Sequence, residues 1–283
     1  MALFGVATHF AQHRRYTKER SCIMIKFLTV TDIHYCDRDV EGAERRNCRS
    51  PFKLKNIMKE HLDGCDFIVD LGDTADQLEG YGDQETFMKE ISEILHSGGV
   101  PVRCVIGNHD TSMHKDKITE ILGMPHRYYS FDTEEFTFIV LDGNMNDPNI
   151  PYPEKEIFWP VTWLDPEQLE WLEKTVDEAT KPVIVICHEL FLLEKYDNDD
   201  DLILRNRDEA VRIFEKSGKV KAVFSGHWHF GDYVYHNNIH YVTLQALCLH
   251  EEETCAVVTI DGADVSVEGF GYQKSYNFKL NLD

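Results

Sequence analysis

The chain has 283 residues, with 29 Lys and Arg against 50 Asp and Glu, a formal charge of −21 with histidines neutral, and 42% hydrophobic residues. This apolar content at this length suffices for a folded core, which excludes disorder as the dominant state. The acidic balance excludes affinity resting on nucleic-acid phosphates or an anionic membrane surface, both of which need a basic face, but leaves an anionic small substrate open.

Residues 1–23 differ in character from the rest, with Arg14, Arg15, Lys18 and Arg20 set against a single acid, Glu19. Their mildly apolar start precedes the basic residues, the reverse of a secretory leader, and Met24 opens the first core-like segment. We read 1–23 as a disordered or extraneous arm, with an organelle presequence as the other reading, and 24–283 as a single domain. No apolar run approaches the roughly 20 residues of a membrane span, so no membrane partner is expected. The eight cysteines form no CxxC pair. Cys104 and Cys187 sit inside apolar runs, as buried thiols do, and a cytoplasmic location is expected.

From Met24 onward short runs rich in Val, Ile and Phe alternate with longer amphipathic stretches, the pattern of an α/β layered domain. The spacing predicts strands at Lys26–Thr31, Phe67–Leu71, Val102–Ile106, Phe136–Leu141, Val183–Cys187 and Ala222–Phe224. Helices are predicted at Pro51–Leu62, Gln84–His96, Lys115–Leu122, Pro166–Ala179 and Asp208–Lys216, with Pro51 and Pro166 where a first-turn proline fits. After Gly226 the texture becomes hairpin-like: Tyr233–His236 turns at Asn237-Asn238 into His240–Leu244, and Cys255–Ile260 turns at Asp261-Gly262 into Val265–Phe270. The chain is thus expected to end in antiparallel sheet. Residues 36–50 and 143–163 are long for connectors and read as binding loops or lids. The acidic run Glu194–Asp201 lacks the ligand spacing of a calcium loop and reads as a solvated loop.

Five predicted strands end alike, in residue types that bind metals: Asp32-Ile-His34, Gly72-Asp73-Thr-Ala-Asp76, Gly107-Asn108-His109-Asp110, His188, and Gly226-His227-Trp-His229. Carboxyl ends of strands in an α/β sheet converge on one crevice, so these distant segments are expected to meet there.

These motifs resemble the signature of the calcineurin-like metallophosphoesterase superfamily, from Met24 to about Gly271. The resemblance implies a four-layer αββα sandwich of two mixed sheets flanked by helices. It implies that Asp32, His34, Asp73 and His229 hold one metal ion and Asp73, Asn108, His188 and His227 a second, with Asp73 bridging. His109 is implied as a non-ligand catalytic histidine over the substrate, oriented by Asp76. Within the superfamily, SGHWHFGDY, IHYVTLQA and VEGFG are similar to the manganese-dependent ADP-ribose/CDP-alcohol diphosphatase branch and its bacterial relatives. Position 34 departs from that branch, carrying His where its characterised animal members carry Gln.

The chemistry of the residues agrees. With only Asp32 and Asp73 anionic among the ligands, two divalent ions leave the centre net positive, which suits a phosphate. Four imidazoles favour Mn, Fe, Zn or Ni over Mg or Ca, and the branch resemblance favours Mn. The function expected is hydrolysis of a phosphoanhydride or phosphodiester bond in a small nucleotide-like substrate by metal-activated hydroxide. The alternatives are a phosphomonoesterase or nuclease with the same centre, or a non-catalytic scaffold. Asn108, Arg46 and Arg49 are further candidates for substrate binding, and Arg45 joins the two arginines as a group able to pair bidentately with a phosphate.

Overall fold

The computed structural model describes residues 24–39, 44–77, 83–145, 162–194 and 202–282. The arm 1–23, most of the proline-rich loop and all of the acidic run but Glu194 lie outside them.

In chain order the described elements begin with β1 (Ile25–Val30), α1 (Ser50–His61), β2 (Phe67–Asp70), α2 (Gln84–His96), β3 (Val102–Cys104), α3 (Lys115–Leu122), β4 (Tyr129–Asp132) and β5 (Thr137–Leu141). There follow α4 (Pro166–Glu178), β6 (Val183–Cys187), α5 (Arg207–Ser217), β7 (Val220–Ser225), β8 (Phe230–His236), β9 (Ile239–Gln245), β10 (Cys255–Asp261), β11 (Asp264–Phe270) and β12 (Tyr276–Lys279). They form two six-stranded mixed sheets, ordered β12-β11-β10-β1-β2-β3 and β4-β5-β6-β7-β9-β8.

The central strands are apolar throughout, yet their side chains alternate between two cores, because successive residues of a strand face opposite sides. Phe27, Phe67 and Val69 point inward from the first sheet to meet Phe138, Val140, Ile184, Ile186, Ala222 and Phe224 from the second. Phe27 stacks on Phe67 at 5.0 Å and meets Phe138 and Phe224 edge-on at about 6 Å, arrangements that aromatic rings favour. The intervening residues face outward. Leu28, Val30 and Ile68 pack under α1 and α2, while Ile139, Val185 and Val223 pack under α4 and α5. The result is the expected helix, sheet, sheet, helix layering.

Local sequence places the helices. In α2 the buried residues Phe87, Met88, Ile91, Ile94 and Leu95 recur at helical spacing, and Asp83 caps its start by accepting from the Glu85 amide. Pro166 opens α4 behind its Asp165 cap, and α3 and α5 end in left-handed glycines, Gly123 and Gly218.

The hairpin-rich end differs from the expectation in one respect. The β10, β11 and β12 strands extend the first sheet antiparallel from β1, but β9 joins the second sheet parallel to β7, with β8 antiparallel beyond it. The two hairpins therefore complete different sheets.

Candidate metal centre

The loops that leave β1, β2, β3, β6 and β7 meet at one end of the sandwich. The β1 and β2 loops stay zipped beyond their strands: the Asp32 amide donates to the Gly72 carbonyl (3.0 Å) and the His34 amide to the Asp73 carbonyl (2.8 Å). To aim their side chains at a common space, Asp32, His34, Asp73 and His227 all take left-handed backbone, with φ of 52°, 46°, 55° and 66°. Asp and His tolerate that region better than β-branched residues do. Two glycines allow the close approach of the loops. A Cβ at Gly107 would collide with the Asp73 amide and carboxylate, and one at Gly226 with the Thr31 hydroxyl.

Asp73 is central. Its Oδ1 accepts from the His109 amide (2.8 Å), while its Oδ2 lies 3.4 Å from His34 Nε2 and 3.3 Å from His188 Nε2. Asp32 is arranged in the same way. Its Oδ2 is held by the Thr31 hydroxyl (2.7 Å) and the His227 amide (3.0 Å), and its Oδ1 faces His229 Nε2 at 3.2 Å and His34 Nε2 at 3.6 Å.

The histidines are turned to present Nε2. His188 Nδ1 donates to the Leu71 carbonyl (2.8 Å), which puts its proton on Nδ1 and leaves the Nε2 lone pair directed at the centre. His34 Nδ1 is likewise bound to Asp76 Oδ1 at 2.7 Å. His34 Nε2 and His229 Nε2 stand only 3.1 Å apart, a contact that needs a proton or a cation between two nitrogens. Asp32 Oδ1, Asn108 Oδ1 and His188 Nε2 are buried without hydrogen-bond partners, a costly condition that a cation relieves. Carboxylate oxygen, amide oxygen and imidazole nitrogen together suit divalent transition metals. Asp73, His188 and His227 can converge on one ion, and His34 with His229 on another, with the Cys248 thiol at its edge.

Two kinds of buried carboxylate separate here. Burial alone would raise all of them, but the His229 and His34 imidazoles hold Asp32 well below the usual range, His188 and His109 do so for Asp73, and His34 and His109 for Asp76. These stay ionised, as ligation requires. Asp70 and Glu189 lie behind the centre, where burial pushes them up to about 6 and about 7.

Asp76 does more than orient one histidine. Its Oδ1 accepts from both His34 Nδ1 and His109 Nδ1 (2.8 Å), and its Oδ2 from Asn47 Nδ2 (2.8 Å). Asp110, named in the sequence only as part of GNHD, accepts from the amides of Gly107, Asp73, Thr74 and Ala75 and so pins two loops together. The three arginines expected to pair with a phosphate are placed differently from one another. Arg46 pairs with Glu251 at 2.9 Å on the surface, and Arg49 lies over the Phe52 ring at 5.5 Å. The arginine brought to the centre is Arg45, three-quarters buried, with Nη1 at 3.8 Å from Asp76 Oδ2. A bridge between Arg45 and Leu249 places it there, and no local sequence signal marks that pairing. Cys248 arrives the same way, its amide donating to the Asp32 carbonyl (3.0 Å). Among the described residues, all seven cysteines are free, Cys104 and Cys187 buried among them.

Two sheets carrying a cluster of His, Asp and Asn at their strand ends define a metallophosphoesterase. A family model for calcineurin-like phosphoesterases matches residues 25–231, and the chain belongs to that family. A probable cyclic nucleotide phosphodiesterase of Psychrobacter arcticus is 20% identical over 244 residues, covering 79% of this chain and 80% of that protein. The serine/threonine-protein phosphatase CPPED1 of Danio rerio is 28% identical over 171 residues, 58% of this chain and 53% of that one, so that match spans about half of the relative. The fold is shared with the crystal structure of a dimetal phosphatase from Danio rerio at a TM-score of 0.75 and 16% identity, covering 91% of this chain and 99% of that one. A yellow lupin purple acid phosphatase superposes at a TM-score of 0.63 and 13% identity, covering 91% and 54%. No helix among the described residues is long and apolar enough to cross a membrane.

Proposed function

We propose that this chain is a dinuclear-metal phosphohydrolase that cleaves a phosphodiester or phosphoanhydride bond in a small nucleotide-like molecule. The observation that carries this reading is the set of buried, unpartnered ligand atoms Asp32 Oδ1, Asn108 Oδ1 and His188 Nε2, together with Asp73 Oδ2, which lies 3.4 and 3.3 Å from imidazoles of two different sheets. In this reading Asp32, His34, Asp73 and His229 would hold one cation, and Asp73, Asn108, His188 and His227 the other. When bound, the pair supplies Lewis-acid charge at phosphorus and lowers the pKa of water.

The chain's own residues do the rest. His109 is set by Asp76 at Nδ1, which directs its other nitrogen outward to hand a proton to the leaving oxygen. Asp76, ionised and shared between His34 and His109, couples the orientation of a ligand to that of the acid. Of the three arginines expected to pair with a phosphate, Arg45 takes the role, since its guanidinium alone reaches the centre. The phosphodiesterase name of the Psychrobacter relative supports a diester substrate.

The test is metal analysis of the purified chain followed by manganese-supplemented assays on ADP-ribose, CDP-choline, cyclic nucleotides and p-nitrophenyl esters. Turnover of a diester or anhydride with about two ions bound per chain is expected. Two ions bound with exclusive turnover of monoesters would replace the proposal with a phosphomonoesterase, and no turnover with a scaffold.

A further inference from the structure

A groove with a cavity of about 660 Å³ lies beside Trp228, the residue between His227 and His229. Trp228 is flanked in the chain by His227 and His229, each about 3.8 Å away Cα to Cα, so this wall of the groove adjoins the proposed metal centre. Its lining combines aromatic faces with a polar rim. Phe230, at the start of the edge strand β8, is 56% exposed and meets the Trp228 ring edge-on at 5.1 Å, while Tyr233 and Tyr276 stack on each other at 5.2 Å along the floor. Lys274, Glu194 and Asp232 supply donors and acceptors at the rim, and Asp232 Oδ2 already fixes the Glu194 amide at 2.8 Å.

An exposed phenylalanine costs free energy in water, and burying its face recovers it. The volume falls within the range of small-ligand sites, and an aromatic floor with a few polar groups is the usual make-up of such sites. Adjacency of the Trp228 wall to a phosphate-handling centre points to the ligand. A group that reaches this groove while its phosphate sits on the cations is the planar heteroaromatic base of a nucleotide, held by stacking and by polar contacts at its edge. We propose that this groove is the nucleobase subsite, with Phe230 and Trp228 as its stacking platform and Lys274 as a rim donor. The inference rests on the phosphohydrolase reading and gives its substrate class.

The groove is tested by equilibrium binding to the metal-loaded full chain, with AMP and ribose 5-phosphate as the two probes. AMP is expected to bind more tightly on the order of tenfold, the scale of one base–aromatic stack. Phe230→Ala should abolish that preference while leaving ribose 5-phosphate affinity unchanged, and Phe230→Tyr, which keeps a ring, should restore it. Phe230 is exposed, so its removal leaves the core intact. Equal affinities for the two probes, or an AMP preference that survives in Phe230→Ala, would overturn the subsite. Those outcomes are independent of turnover: a chain that hydrolyses diesters but shows no base preference retains the proposed function and loses the groove.

Discussion

The shared carboxylate of Asp76 makes His34 and His109 separable by experiment, because one imidazole is proposed to face the cations and the other the leaving group. His109→Ala is expected to keep its metal content and to lose kcat by roughly 10²- to 10⁴-fold, the usual worth of a positioned proton donor. Loss of metal instead would make His109 a ligand. Among the arginines, Arg45→Ala should raise KM or lower kcat/KM for an anionic substrate, while Arg49→Ala, on the surface over Phe52, leaves both unchanged. Lys53 gives a pH signature. Its ammonium is buried, held by the carbonyls of Leu247, Leu249 and His250, and burial pushes its pKa down to about 8. Between about pH 8 and the ordinary lysine value near 10.4 the unfolded chain therefore binds more protons at this site than the folded one. Stability rises with pH across that window and falls as pH drops through 8. Thermal melts of the wild type minus Lys53→Met, from pH 7 to 10, should show that slope, and a flat difference would refute it.

The elements were legible where pattern and local chemistry agreed. Helix α2 has both an apolar stripe and an Asp cap, and β6 is an unbroken Val/Ile run, so sequence alone bounds both as Gln84–His96 and Val183–Cys187. Strands β4 (YSFD) and β12 (YNFK) escaped detection because each has four residues, alternates polar with aromatic, and gains its identity only by pairing with β5 and β11. The site motifs could be read because every candidate ligand follows directly on a strand or its turn. Arg45 could be read only as one of three candidate arginines and Cys248 not at all, since their positions come from contacts across some 200 residues of chain. At this scale Gly107 carries a prediction. Gly107→Ala should fold, because the collision is confined to the Asp73 loop, and should weaken metal binding by displacing the Asp73 carboxylate. Calorimetric titration with Mn²⁺ would show the loss, and unchanged affinity would remove Gly107 from the account.

At the scale of the molecule, the charge of −21 lies outside a centre whose candidate ligands include only two carboxylates. Acidity of the whole and affinity for a small phosphate are compatible, since the field that matters is the local one. The proposed ligands divide between the two halves of the sandwich: Asp32, His34, Asp73 and Asn108 come from strand ends of the first sheet, and His188, His227 and His229 from those of the second. The cations would act as a removable rivet, fastening sheet to sheet in a chain whose described cysteines form no such link. A ligand that binds only the folded state stabilises it by mass action, about 2.7 kcal/mol at a hundredfold excess over Kd. Chelation should therefore lower Tm, and added Mn²⁺ restore it. Hydrogen exchange should speed up at the carboxyl ends of β1, β2, β6 and β7 together, while their amino ends stay protected. Enzyme and fastener would then be one object, and any condition that strips the metal would cost the molecule rigidity along with rate.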